Sequence, residues 1–323
     1  MKTSLTGFTL ATVGLVFTAG QAAAQAYPAK VVRIVVPFAA GGNTDFTGRS
    51  VAAKLTEALG QQFVVDNRPG ASTIIGSDLI AKAAPDGYNI LMGGAANAIN
   101  NAVMAKLPYD LNRDLTPIAL CVKGANVFVV HPSLPVKGVQ DLIALAKSRP
   151  GTLNYATSGV ASSNHMAAEL LIYRSGIKLN HVPYKGNAPA LTDIIGGHVE
   201  IMISGVPALV PHIKSGRIRA IGIASLKRFP AIPEVPTFDE QGLKGFEAST
   251  WFGLMAPAKT PREIIVKLHD ETNKALASKD IRDRYQVEGL EPQGLTIDGF
   301  AAFIRSEVDL YVKLVTAAKL PKM

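Results

Sequence analysis

Short apolar runs alternate along the chain with longer segments whose apolar positions recur every three or four residues. The runs at 31–36, 63–65 and 89–92 read as strands, and the segments at 45–59 and 72–83 between them read as helices. This alternation predicts βαβ units around a parallel sheet. Turn residues punctuate it at 67–70 (Asn-Arg-Pro-Gly) and 85–87 (Pro-Asp-Gly). Two further strands are expected at 117–121 and 127–131, with the small and polar residues 123–126 between them as a first crossing between two lobes. A second alternating set follows, with a helix at 139–147 and strands at 153–155, 180–182, 200–203 and 218–224. A loop carrying Pro230, Pro233 and Pro236 leads to 249–257, the expected return crossing.

The C-terminal part reads as helices. Thr260, Pro261, Arg262 and Glu263 have the spacing of a capping box with proline at the first helical position. Ile264, Leu268 and Leu276 share one face of the helix that follows. Phe300, Ile304, Val308, Tyr311 and Val315 share one face of the last helix, and both faces read as core-packing. The predicted fold class is α/β, two lobes, each a mainly parallel sheet flanked by helices. Residues 27–124 and 250–323 form lobe 1, and residues 125–249 form lobe 2.

Residues 1–26 read as a cleavable leader. Lys2 gives a basic start, an apolar run follows, and Ala-x-Ala patterns end at Ala24 and Ala26. The apolar run is shorter than the about 20 residues a spanning helix needs. The mature chain, starting at Tyr27, is expected in the periplasm. Cys121 is the single cysteine, so no intrachain disulfide can form, and its apolar neighbours make it a buried strand residue. The chain carries 33 Lys+Arg against 25 Asp+Glu, a formal charge of +8. The basic residues are dispersed and no aromatic-interleaved basic tract occurs, which argues against nucleic-acid binding. A positive field suits a small anion.

Candidate chemistry sits where apolar runs end in small residues and a helix begins. Four such loops lie at 35–45, 90–97, 155–165 and 181–197. Helix N-termini carry free N–H groups and partial positive charge, so several aimed at one cleft would hold an anion without a metal. In the first loop, Phe38, Ala40, Gly41 and Asn43 are candidate ligand residues, with Asn43 alternatively the N-cap. Asp45 is also a candidate, either meeting a ligand amine or pairing with Arg49 one turn on. Ala96 and Asn97 follow in the second loop. Ser158, Gly159, Ser162 and Ser163 come from the third, with Ser162 or Ser163 as N-cap. Tyr184, Asn187 and Ser204 complete the set at or beyond strand ends, where open α/β sheets bind ligands. His165 and Glu169 lie four apart, too few for a metal site, and Glu169 is expected as a solvated helix residue. Trp251 is placed on the hinge side.

Several segments together resemble the extracytoplasmic solute-binding subunits of tripartite tricarboxylate transporters, the TctC/Bug type. They include 27–30 (Tyr-Pro-Ala-Lys), 36–45 (Val-Pro-Phe-Ala-Ala-Gly-Gly-Asn-Thr-Asp), 85–88 (Pro-Asp-Gly-Tyr) and 181–186 (His-Val-Pro-Tyr-Lys-Gly). Tyr109-Asp110, Gly196-Gly197, Pro236-Thr237, 251–253 (Trp-Phe-Gly), Ala256-Pro257 and Thr260-Pro261 continue the match in order. The resemblance implies a periplasmic-binding-protein fold of the Venus-flytrap kind (type II) that closes on its ligand. It also implies organic anions, often carboxylates, as ligands and membrane subunits as partners. Two departures stand out. Ser72-Thr73 follows Gly70-Ala71 where the family often has glycines, and 156–159 reads Ala-Thr-Ser-Gly where Gly-Ser-x-Gly is common.

The reading is a periplasmic solute-binding protein that captures a small carboxylate and delivers it to the transmembrane subunits of a tripartite secondary transporter. A monomer is expected, with no metal, no nucleotide and no other cofactor. The same fold could serve instead as the ligand-binding input of a sensory system. An exported hydrolase is the enzyme alternative. It lacks a Gly-x-Ser-x-Gly elbow, and no Walker A, Gly-x-Gly-x-x-Gly or His-Glu-x-x-His pattern occurs.

Overall fold

The computed structural model describes residues 27–287 and 289–317. The leader expected over residues 1–26 lies outside the described residues. The strands are β1 (Val32–Val36), β2 (Phe63–Asn67), β3 (Asn89–Gly94), β4 (Leu115–Val130), β5 (Asn154–Thr157), β6 (Asn180–Pro183), β7 (Ile201–Gly205), β8 (Arg219–Ile223), β9 (Ser249–Pro257) and β10 (Leu290–Pro292). The α-helices are α1 (Asn43–Leu59), α2 (Ile74–Ala81), α3 (Ala95–Val103), α4 (Leu111–Asp114), α5 (Val139–Ser148), α6 (Ser163–Ser175), α7 (Asn187–Ile195), α8 (Val210–Lys214), α9 (Arg262–Ala277), α10 (Lys279–Val287) and α11 (Ile297–Ala317). No helix among the described residues is long and apolar enough to cross a membrane.

The strands run in the order β2-β1-β3-β9-β4-β7-β5-β6, with β8 and β10 also paired to β4. In lobe 1, β2, β1 and β3 are parallel, and β9 is antiparallel to β3. In lobe 2, β6, β5 and β7 are parallel, and β4 is antiparallel to β7 and β8. The two lobes therefore share β4. From Leu115 to Ala125 it pairs with β9, and from Asn126 to Val130 it pairs with β7. The two strands expected at 117–121 and 127–131 are one strand, and residues 123–126 cross between lobes without leaving extended backbone. The small residues there serve close approach. A side chain on Gly124 would meet Leu290 Cδ2 at 2.9 Å.

Alternation on the strands fills one core on each side of each sheet. On β1, Val32, Ile34 and Val36 pack toward α1 and α9, while Val35 packs with Leu91 toward α3 and α11. On β4, Phe128 and Val130 face α5 and α6, while Val127 and Val129 face α7. Cys121 is a fully buried free thiol, as its neighbours imply. The core faces read for the two long C-terminal helices hold: Leu268 and Leu276, and Phe300, Ile304, Tyr311 and Val315, are all buried.

Two local expectations fail. The capping box at Thr260 does not form, because the hydroxyl donates to Pro257 O at 2.8 Å and Pro261 takes the N-cap position without a side-chain bond. The helix expected over 72–83 begins at Ile74, because Ala71, Ser72 and Thr73 all sit in the left-handed region, with φ of 42°, 52° and 78°. Such a run is costly for side chains with a Cβ. The Asn100 amide holds it, donating to Ser72 O at 2.8 Å and to Thr73 Oγ1 at 3.2 Å.

Candidate functional site

Four of these helices, α1 and α3 from lobe 1 and α6 and α7 from lobe 2, begin at one gap between the lobes. The gap is lined by Phe38, Gly42, Asn43, Thr44, Gly94, Ala95, Ala96, Ser158, Ser162, Ser163, Asn164, Asn187, Thr250 and Phe252. None of these side chains is charged. The gap encloses about 420 Å³ where the two lobes meet. A backbone bond across the gap, Ala39 N–H to Lys185 O at 3.2 Å, marks the lobes as closed on each other.

The lobe 1 side is held by Asp45. Its carboxylate accepts from Gly41 N–H at 2.9 Å, from Arg49 Nε at 2.9 Å and from Asn67 Nδ2 at 3.0 Å. Burial works to raise this carboxyl, but the bonds from Arg49, Gly41 and Asn67 outweigh it and hold it below the usual carboxylate range. Asn67 Nδ2 also donates to Phe38 O at 3.0 Å, fixing the residues before α1. Gly41 has φ +83°, and Gly42, not Asn43, is the N-cap. Asn43 is therefore the first helical residue. The residue is 3% exposed, and its buried Oδ1 has no partner among the described residues. Asp45, Ala40 and Gly41 do not line the gap; Asp45 shapes the loop that does.

On α3 the backbone of Gly94, Ala95 and Ala96 reaches the gap. Asn97 does not. It is fully buried behind the helix start, accepting from Gly94 N–H at 2.9 Å and donating to Ser77 Oγ at 2.8 Å. It fixes where α3 begins.

The lobe 2 side is a hydrogen-bonded relay. Ser162 is the N-cap of α6 and accepts from His165 N–H at 3.2 Å. Ser158 Oγ donates to Asn164 Oδ1 at 2.6 Å, and Asn164 Nδ2 donates to Asn126 Oδ1 at 2.9 Å. Asn126 Nδ2 donates in turn to Ala248 O at 3.0 Å. The relay runs from the gap to the point where β4 changes lobes. Gly159 has φ +141°, and a side chain there would meet Tyr184 O at 3.2 Å. It shapes the loop without lining the gap.

Asn187 opens α7 behind Gly186, and its buried Oδ1 also has no partner among the described residues. Tyr184 is half-buried and donates to Asp193 Oδ2 at 2.6 Å, on the α7 side of β6 and away from the gap. Ser204 is fully buried on β7 opposite Val127, with an unpartnered Oγ, and does not line the gap. Of the fourteen residues expected at a ligand site, the structure brings Phe38, Asn43, Ala96, Ser158, Ser162, Ser163 and Asn187 together there.

Seven lining residues were not expected, among them Thr44, Asn164, Thr250 and Phe252. Strand alternation was the available signal for the last two. Trp251 is fully buried on the hinge strand and donates to Glu307 Oε2 at 2.8 Å, so its two neighbours face the other way. Glu169 is not a solvated helix residue. It is partly buried, accepts from Tyr155 OH at 2.7 Å and lies 3.5 Å from His165 Nε2. Among the described residues no group of three or more His, Cys, Asp or Glu side chains is placed to hold a metal ion.

A family model described as the tripartite tricarboxylate transporter family receptor (TctC) matches residues 47–320. The chain belongs to the tripartite tricarboxylate transporter receptor family. Protein BugT of Bordetella pertussis is 39% identical over 319 residues, covering 96% of this chain and 98% of BugT. Among solved structures, an adipate-bound protein of R. palustris is 36% identical with a TM-score of 0.88, covering 91% of this chain and 98% of that one. MatC of Rhodopseudomonas palustris with bound malate is 31% identical with a TM-score of 0.86, covering 90% and 100%. As a TctC receptor the chain has the two-lobed periplasmic-binding-protein fold and is a periplasmic solute-binding protein, not an enzyme.

Proposed function

We propose that this TctC receptor captures a small organic acid with one or two carboxylates and delivers it to the membrane subunits of a tripartite transporter. The observation that carries the reading is the pair Asn43 and Asn187. Each is the first residue of a helix, each is buried, and each has a side-chain oxygen without a partner among the described residues. Native structures rarely leave buried amides unpaired, so a ligand is the natural partner. Rotating an Asn amide by half a turn presents its two N–H donors instead of its oxygen.

With no cation lining the gap, the carboxylate charge would meet the partial positive charge of four helix starts and the Ser158, Ser162 and Ser163 hydroxyls. Phe38 and Phe252 offer apolar surface for the carbon chain. Two relatives of this chain bind dicarboxylates, adipate and malate, which supports that class here. Asn43 and Asn187 are buried where the lobes meet, so a ligand does not reach them in the closed form. Binding therefore requires the lobes to open about β4 near Asn126 and about the start of β9. Export by the leader read at residues 1–26 fits a receptor of this family working in the periplasm.

A thermal-shift screen over aliphatic di- and tricarboxylates, aromatic acids and amino acids tests the reading, starting with adipate and L-malate. Ligand at 100 times its Kd stabilises by about 2.7 kcal/mol, so a true ligand raises the melting temperature by several degrees. A screen in which amino acids shift the melting point and no carboxylate does would overturn it.

A further inference from the structure

The two crossing strands have a face turned away from the ligand gap. On β9, Thr250 and Phe252 line the gap, and their neighbours Ser249 and Trp251 point to the other side. Lys123 of β4 pairs with Trp251 across the ladder and shares its side, with its ammonium 3.9 Å from the centre of the Phe303 ring. Behind the strands lies a groove of about 1010 Å³. Its lobe 2 wall is α6, with Met166 and Leu170, and its lobe 1 wall is α11, with Phe303, Leu310 and Leu314. Ser163, the first residue of α6, borders both the gap and the groove.

The walls are apolar where they meet solvent. Leu310 is 55% exposed, and Leu170 and Leu314 are partly exposed. Charge in the lining is confined to Lys123, Glu247 and Glu307, and Glu307 is already held by the Trp251 indole. Contiguous exposed apolar surface marks a place of contact. The hinge supplies the partner. Two bodies joined by a pair of strands, and parting on one face of those strands, must approach each other on the opposite face. The gap and the groove occupy those two faces, so opening the gap narrows the groove.

We propose that the groove is the counter-interface of the open receptor: when the ligand gap opens, α6 and α11 close over Leu170, Leu310 and Leu314, and the apolar area buried there sets how readily the receptor stays open. This rests on the reading of the gap as the ligand site. What covers the groove is the chain's own opposite wall. Apparent affinity falls by the fraction of molecules that are not in the binding-competent state. Leu170 and Leu310 thereby determine ligand affinity from behind the hinge, without touching the ligand.

The first test is the double variant Leu170→Cys/Leu310→Cys under a mild oxidant. Cys121 is fully buried and takes no part. A disulfide needs its two Cα atoms within about 7 Å, so it forms when the walls meet. The free protein is expected to cross-link, and saturating adipate or L-malate is expected to slow the reaction about tenfold or more. The cross-linked protein should show a larger radius of gyration and about tenfold or more weaker affinity, and reduction should restore both. The second test is Leu310→Glu, at an exposed helix position that tolerates a polar residue. Closing the groove would then bury a charge beside Glu247 and Glu307, so the free protein should become more compact in scattering and bind about three- to tenfold more tightly. A cysteine pair that stays reduced in the free protein, or that cross-links as fast with ligand as without, would overturn the proposal, as would wild-type affinity in Leu310→Glu. If neither acid binds wild type, the ligand reading fails. Whether cross-linking enlarges the free protein then still decides the role of the groove.

Discussion

The two halves of the gap are built on opposite plans. On the lobe 1 side the anchor is a buried carboxylate, Asp45, which gathers the loop backbone, while Oδ1 of the neighbouring Asn43 has no partner among the described residues. On the lobe 2 side the anchors are the imidazoles of His181 and His165, bonded to Thr157 and Ala161, and the presented hydroxyl, Ser158, is already committed to Asn164 and through it to Asn126. One side offers a group with nothing to lose on binding. The other offers a group whose rearrangement is felt at the strand shared by the lobes. A ligand that differs in its contacts with the two sides is what shifts an open–closed equilibrium.

The largest expected effect comes from keeping the two sides apart. Gly186 sits at φ +129°, and a side chain there would come within 3.2 Å of Ala39 N and 3.3 Å of Ala39 Cβ. Those atoms belong to the cross-gap contact. Gly186→Ala adds strain on the order of 1–3 kcal/mol, and the clash part of it exists only in the closed form. Ligand affinity should fall roughly ten- to a hundredfold. Small-angle scattering at saturating ligand should show a larger radius of gyration than wild type. Wild-type affinity together with wild-type compaction would mean that closure does not need this contact.

Next comes the relay. Ser158→Ala removes the donor to Asn164 Oδ1 and leaves a buried acceptor unpaired, which costs about 1–3 kcal/mol of stability. Ligand affinity should drop tenfold or more as well. Asn43→Ala, in contrast, removes no side-chain hydrogen bond found among the described residues. Affinity should fall by a similar factor, while melting of the free protein stays within about 0.5 kcal/mol of wild type. If both variants lose the same stability, the difference between the two sides is wrong.

The sequence pattern carried the strands and the four loops well, because fully buried strands are short apolar runs and a helix start needs small residues. What it could not carry was tertiary. Residues 123–126 look like a loop, yet they are the middle of a crossing strand in which Gly124 makes room for Leu290. Asn43 reads as an N-cap by residue type, but Gly42 takes that position and frees the amide. Tyr184 and Ser204 stand at strand ends, as cavity residues do, but one is bonded to Asp193 and the other is buried beneath the sheet surface. The substitution of Ser72 and Thr73 for glycines was visible. Its meaning was not, because only the fold shows that these residues are left-handed and braced by Asn100 from α3.

The smallest effect sharpens the comparison through pH. Asp45 is held below its ordinary range by its three hydrogen-bonded partners despite its burial. A carboxyl lowered on folding binds fewer protons in the folded state than in the unfolded one. It adds stability above the unfolded value of about 3.9, and that stability is lost as the pH falls through the lower folded value. Asp45→Asn should therefore be less stable than wild type at pH 7 and should lose less on going from pH 5 to pH 2.5. Thermal melts at half-unit pH steps would show the two curves converging at the acid end. Parallel melting curves for the two proteins would mean that Asp45 is not the charge that ties the lobe 1 loop down.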